Sequence, residues 1–367
     1  MRKELLWILV PGLLLLVLID QPAGVISPET SSPLTGQQTT PRSSGNVEPW
    51  CDPYGITILL MGEDPAGRFE SNLQDATSLG ASWVQIMFPS FQANHDSSSF
   101  PIADHRSPSR IAVEKACEMT RASGFKVALH PILLIQDPLD EHWRGQLDPD
   151  SRADWFDHYQ RWIVSWSQLA SECGVHLLFV GSELSSMQTD QQRWNLILDS
   201  VRAEFRGPIT YSANWDCWRD ISFAGHLDAL GVNAYLPLTK DKNYRPEQLI
   251  QSLLPLRSQL HEWSMRSGVP VFFSEVGYPS HDRALEAPWD QYRGDQVDLE
   301  AQMIGYETFI ATFSRDEHVR GVFFYALHEE GGLDDHGYTP AGKPAMDTLR
   351  QYFRDRSDRH KELRSRP

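Results

Sequence analysis

Eight short runs rich in Val, Ile, Leu and Phe recur along the chain, at residues 56–60, 83–88, 127–130, 177–180, 209–212, 229–233, 271–274 and 322–326. Within them apolar residues do not alternate with polar ones, which is how strands covered on both faces read. Amphipathic stretches separate most of the runs. In the clearest, Trp155, Tyr159, Trp162, Trp166 and Leu169 fall at steps of 4, 3, 4 and 3, on one helical face. Leu299, Met303, Tyr306, Ile310 and Phe313 repeat that spacing. Such a stripe packs a helix on a sheet, so these aromatics are expected to be core. Gly80, Gly124, Gly174, Gly207 and Gly268 each stand between a helical stretch and a run, where a helix closes through a left-handed residue. Eight strand-then-helix units over about 300 residues predict an α/β protein with a single (β/α)8 TIM barrel. An open doubly wound sheet is the alternative. It usually carries a glycine-rich phosphate loop after its first strand. Here that position reads LMGEDP, with two acids and no GxGxxG.

Composition narrows the partners. The chain has 367 residues, with 33 Lys and Arg against 49 Asp and Glu, a net charge of −16. Such a surface repels phosphate backbones, so no nucleic-acid partner is expected. Residues 1–24 open with Arg2 and Lys3, continue through an apolar run at 5–19 and end on small residues, the layout of a signal peptide or an uncleaved signal anchor. Residues 25–49 are rich in Ser, Thr and Pro and are expected to act as a linker. The catalytic domain is expected at 50–353, with a charged tail at 354–367. A secreted, periplasmic or cell-surface location follows, or a membrane tether if the first segment stays. Cys51, Cys117, Cys173 and Cys217 allow two disulfides or four free thiols.

Barrel enzymes place their chemistry at the C-terminal ends of the strands. The fourth run ends in VGSEL, with Glu183, and the seventh in FSEVGYPS, with Glu275. A carboxylate directly after several buried apolar residues resists burial, and two of them across one mouth can divide into a protonated acid and an ionised nucleophile. The other run ends offer Gln85, His130, Asn214, Trp215, Asn233, Tyr235 and Tyr325. Aromatic faces stack on sugar rings, and amides and imidazoles hydrogen-bond hydroxyls. The stretch HEEGGLDDH at 328–336 holds two His and four carboxylates, but its two glycines and lack of helical spacing read as a solvated loop. No metal and no cofactor are expected.

VGSEL, YSANWD, DALGVNAYLPL and FSEVGYPS, followed by Pro288 and Trp289, together resemble clan A of the glycoside hydrolases. Within it they look most like family 113, whose characterised activity is endo-β-1,4-mannanase. The resemblance implies Glu183 as acid/base and Glu275 as nucleophile. It implies that Tyr235 hydrogen-bonds the nucleophile, and that Asn214, Trp215 and Trp289 line the substrate site. Ser182 stands where most members of the clan carry Asn, and the eighth run lacks the Trp many of them place there. The implied function is an exported retaining hydrolase of β-linked polysaccharide, most simply β-1,4-mannan, working by two-glutamate double displacement. Its alternative is a non-catalytic carbohydrate-binding protein on the same scaffold. For the enzyme, Glu275 is expected ionised at rest and Glu183 protonated.

Overall fold

The computed structural model of the chain describes residues 50–63 and 65–365. The expected signal and linker segments lie outside these residues. Eight parallel strands close into a barrel in chain order: β1 (Tyr54–Leu59), β2 (Trp83–Gln92), β3 (Lys126–Ile135), β4 (Leu177–Ser182), β5 (Ile209–Asn214), β6 (Ala229–Asn233), β7 (Val271–Val276) and β8 (Val319–Leu327). Each contains most or all of one apolar run. Around them lie α1 (Glu70–Leu79), α2 (Arg110–Ala122), α3 (Arg152–Glu172), α4 (Gln191–Glu204), α5 (Pro246–Ser267), α6 (Leu299–Phe313) and α7 (Ala345–Ser365). Two short 3-10 turns, Trp218–Asp220 and Ala224–His226, follow β5 in place of a helix. Among the described residues no helix is long and apolar enough to cross a membrane.

Two strands overshoot their apolar runs. β2 and β3 pair in unbroken register from Trp83↔Lys126 to Gln92↔Ile135. They continue past Pro89 and Pro131, which in the sequence read as strand ends. α3 buries its aromatic stripe as expected, with Trp155, Tyr159, Trp162, Trp166 and Leu169 all inside. On α6 the buried face is turned: Gln302, Gly305, Tyr306, Phe309 and Phe313 point inward, while Leu299, Met303 and Ile310 lie half-buried on its flanks. Phe309 and Phe313 pack edge-on against Phe273 of β7. Gly80, Gly124, Gly174 and Gly268 take the expected left-handed φ. Gly207 does not, and an added Cβ there would meet the Phe205 ring at 2.4 Å, so close packing accounts for it.

The barrel interior is filled in layers. Near the floor Trp83, Ala128, Leu177, Phe179, Ala229, Phe272 and Phe323 form one apolar cluster. Trp50 covers it from below, with its ring centroid 5.1 Å from that of Phe272. All four thiols are free. Cys51 is exposed at the floor beside Lys126, and Cys217 lies at the mouth beside Ser185. Cys117 of α2 and Cys173 after α3 interact within the core.

Candidate active site

Glu183 and Glu275 come to the mouth from β4 and β7. Glu183 directly follows β4 with φ 55°, and it is the one non-glycine residue with positive φ among those described. Its amide donates to the Ser212 carbonyl of β5 at 2.8 Å, and the next amide, Leu184, donates to the Tyr211 hydroxyl at 2.8 Å. A left-handed residue costs an L side chain on the order of 1–3 kcal/mol. Here the turn aims a carboxylate inward, and the two amide bonds hold it. Glu275 sits within β7, paired in register with Asn233 of β6.

A polar network joins the two acids. Asn233 donates from Nδ2 to Glu183 Oε1 at 2.8 Å. Its Oδ1 accepts from Ser212 Oγ at 2.6 Å and Ser274 Oγ at 2.8 Å, which fixes the amide's orientation. Tyr235 donates to Glu275 Oε2 at 2.6 Å. Glu275 Oε1 is buried and has no hydrogen-bond partner among the described residues. Arg144, in a 3-10 turn after β3 (Arg144–Gln146), donates from Nη2 to Glu183 Oε2 at 2.5 Å, with both side chains buried.

Burial and the neighbouring Glu183 charge push Glu275 up to about 8, while Tyr235, Arg144 and Asn233 pull it the other way. On balance the proton is pushed towards Glu275, opposite to the expected arrangement. Glu183 accepts a hydrogen bond on each oxygen, from a cation and from an amide. Glu275 is the member pushed towards holding the proton, because two adjacent buried carboxylates disfavour a second charge.

The remaining expected residues divide by depth. Tyr235 and Tyr325 meet edge-on at the mouth, with centroids 5.9 Å apart, and Tyr338 closes the group. Trp215 and Trp289 stack at 5.9 Å with planes 22° apart, partly open and packed on the apolar cluster that includes those tyrosines. Asn214 turns back, its Oδ1 accepting from the Trp215 amide at 2.9 Å. Gln85 and His130 lie below the mouth and are fully buried. Gln85 donates to Thr57 at 3.1 Å, and His130 stacks on Phe179 with centroids 4.0 Å apart. These two were expected to touch substrate, and the structure places them in the barrel filling instead. In the loop after β8, Asp335 is ion-paired with buried Lys343, and Glu329 approaches His328 at 3.5 Å. Sequence reasoning missed Arg144, which lies in HWRGQ with no motif around it, and Tyr338.

A barrel of this topology with paired carboxylates at the ends of β4 and β7 defines a sugar-processing hydrolase of the (β/α)8 type. The chain matches the model of Glycoside Hydrolase Family 113 over residues 65–343 and belongs to that family. It is a glycoside hydrolase, so the non-catalytic alternative falls away. Among solved structures it is similar to the family 113 β-mannanase of Alicyclobacillus acidocaldarius, with TM-score 0.74 and 21% identity over 83% of this chain and 98% of that one. A second family 113 β-1,4-mannanase matches with TM-score 0.72 and 17% identity, over 83% of this chain and 99% of that one. The β-glucuronidase of Faecalibacterium prausnitzii shares the fold at TM-score 0.56 and 14% identity, over 83% of this chain and 49% of that one. The sequence has no significant match among curated proteins.

Proposed function

We propose that the protein is a retaining endo-acting hydrolase of β-1,4-mannan or a closely related β-linked polysaccharide, exported by its N-terminal segment. The observation that carries the chemistry is the asymmetric setting of the two acids. Tyr235 occupies one oxygen of Glu275 and leaves Oε1 without a partner. That oxygen attacks the anomeric carbon while Glu183 gives its proton to the departing glycosidic oxygen, so the C–O bond to the leaving sugar breaks as the ester to Glu275 forms. Substrate must first move the shared proton from Glu275 to Glu183. Glu183 then takes a proton from water, whose oxygen displaces Glu275 and frees a product of unchanged configuration. The Trp215–Trp289 pair offers flat apolar faces for neighbouring sugar rings.

Support for mannan comes from family membership and from the two β-mannanase neighbours. A hydrolysis screen over mannan, glucomannan, xylan, cellulose and chitosan, with product sizing, tests it. Cleavage of xylan or cellulose in preference to mannan would overturn the substrate assignment. Cell fractionation tests export: protein confined to the cytoplasm would refute it.

A further inference from the structure

We propose that Arg144 is the positioning residue for Glu183, holding the carboxylate that remains once the proton has passed to the leaving oxygen. The inference rests on the double-displacement reading above. Three observations carry it. Arg144 is 4% exposed, so its charge is not dispersed into water. Its Nη2 donates to Glu183 Oε2, a charge-assisted bond between a guanidinium and a carboxylate. Its Nε is buried with no partner among the described residues, so none of them draws the guanidinium away through that atom.

The loop that carries Arg144 is itself fixed. Asp140, four residues earlier, accepts from the backbone amides of His95 at 2.7 Å and His142 at 3.0 Å. It also contacts both Nδ1 atoms, at 2.9 Å and 2.8 Å, and the two imidazoles stack with centroids 3.8 Å apart. The loop after β2 is thereby clamped to the loop after β3, two residues from Arg144. Burial opposes the charge on Asp140, but these donors outweigh it and hold the carboxyl well below the usual range.

The other titratable groups facing Glu183 among the described residues supply no positive charge. Glu275 faces it from β7. Tyr211 of β5, Tyr235 after β6 and Tyr325 of β8 are phenols pushed up by burial. His130 of β3 is pushed well down by burial and by Arg144 itself. Arg144 therefore acts on the proton of Glu183 as a fixed cation in a dry site, where such a contact counts for more than in water. It favours release of the proton in the first half-reaction and restrains its recapture in the second.

The test uses Arg144→Gln and Arg144→Lys in the full chain, with β-1,4-mannan and 2,4-dinitrophenyl β-mannobioside as substrates. Folding is checked by circular dichroism. Removing the cation lets the carboxyl pair keep its last proton to higher pH, so the alkaline limb of kcat/KM for Arg144→Gln moves up by about one pH unit or more. Mannan turnover falls roughly 10-fold or more, whereas kcat/KM on the dinitrophenyl substrate, whose leaving group needs no proton, is largely spared. Arg144→Lys keeps the charge and returns the alkaline limb towards wild type. Limbs that stay put in Arg144→Gln, or equal losses on the two substrates, would overturn the inference. An alkaline limb as displaced in Arg144→Lys as in Arg144→Gln would do the same. If wild type cleaves neither substrate, or Glu183→Gln and Glu275→Gln still cleave mannan, the double-displacement reading itself has failed. That outcome is distinct from two inactive glutamate variants beside an unmoved Arg144→Gln profile.

Discussion

Glu275→Gln should gain stability relative to wild type as pH rises. Glu275 is raised from 4.5 to about 8 by burial and by the charge of Glu183. A carboxyl that binds its proton more tightly in the folded state adds stability below its unfolded pKa. That contribution is whole below about pH 4.5, drains away as pH rises towards 8, and above that the fold carries a buried charge. At roughly 1.4 kcal/mol per pH unit, the difference between wild type and Glu275→Gln should widen by about 4 kcal/mol between pH 5 and pH 9. The amide NH2 replacing the partnerless Oε1 costs a pH-independent ~1–3 kcal/mol, so the slope is the test and the absolute sign at any one pH is not. Urea denaturation of both proteins at pH 5, 7 and 9 measures it. A gap that stays constant within ~1 kcal/mol, or narrows with pH, would refute the reasoning.

Other expectations are simpler. Trp162→Ala should destabilise by ~3–5 kcal/mol, since the ring is buried and its Nε1 bonds Ser90 Oγ at 3.0 Å. Trp215→Ala should weaken mannan binding with little change in Tm; if both variants melt early and bind normally, the division between core and site is wrong. Glu275→Ala should be inactive on every substrate and regain turnover with azide to give inverted product. Glu183→Ala should lose polysaccharide cleavage, keep glycosylation by an activated aryl glycoside, and give a retained azide product. Equal losses without azide rescue in either variant would end the paired-glutamate mechanism. Proton NMR at early times should show product of the same anomeric configuration as the substrate, and the opposite anomer would indicate inversion.

The barrel was legible because each strand is buried on both faces and so lacks polar interruptions. The carboxylates were legible because Glu183 and Glu275 break that pattern at the end where it should break. Height along the strand was not. Pro89 and Pro131 mark strand ends by ordinary rules, yet β2 and β3 run on to Gln92 and Ile135. Gln85 and His130 thus sit mid-strand, inside the barrel. α6 misled for a related reason: it is apolar nearly all round, so spacing alone does not choose its inner face. Arg144 was invisible because its role depends on a loop clamp between residues 95 and 140–142, a contact that no local pattern encodes.

The packing of Trp50 under the barrel decides how the molecule can be displayed. The described chain begins at the floor, where Trp50 covers Phe272 and Asp52 bonds Arg320, while both glutamates open at the opposite pole. The described fold therefore begins at the closed end of the barrel. A support coupled at residue 50 would present the catalytic pole outward, to a polymer too large to turn around. The same coupling made through the mouth loops would set the support across the substrate's path.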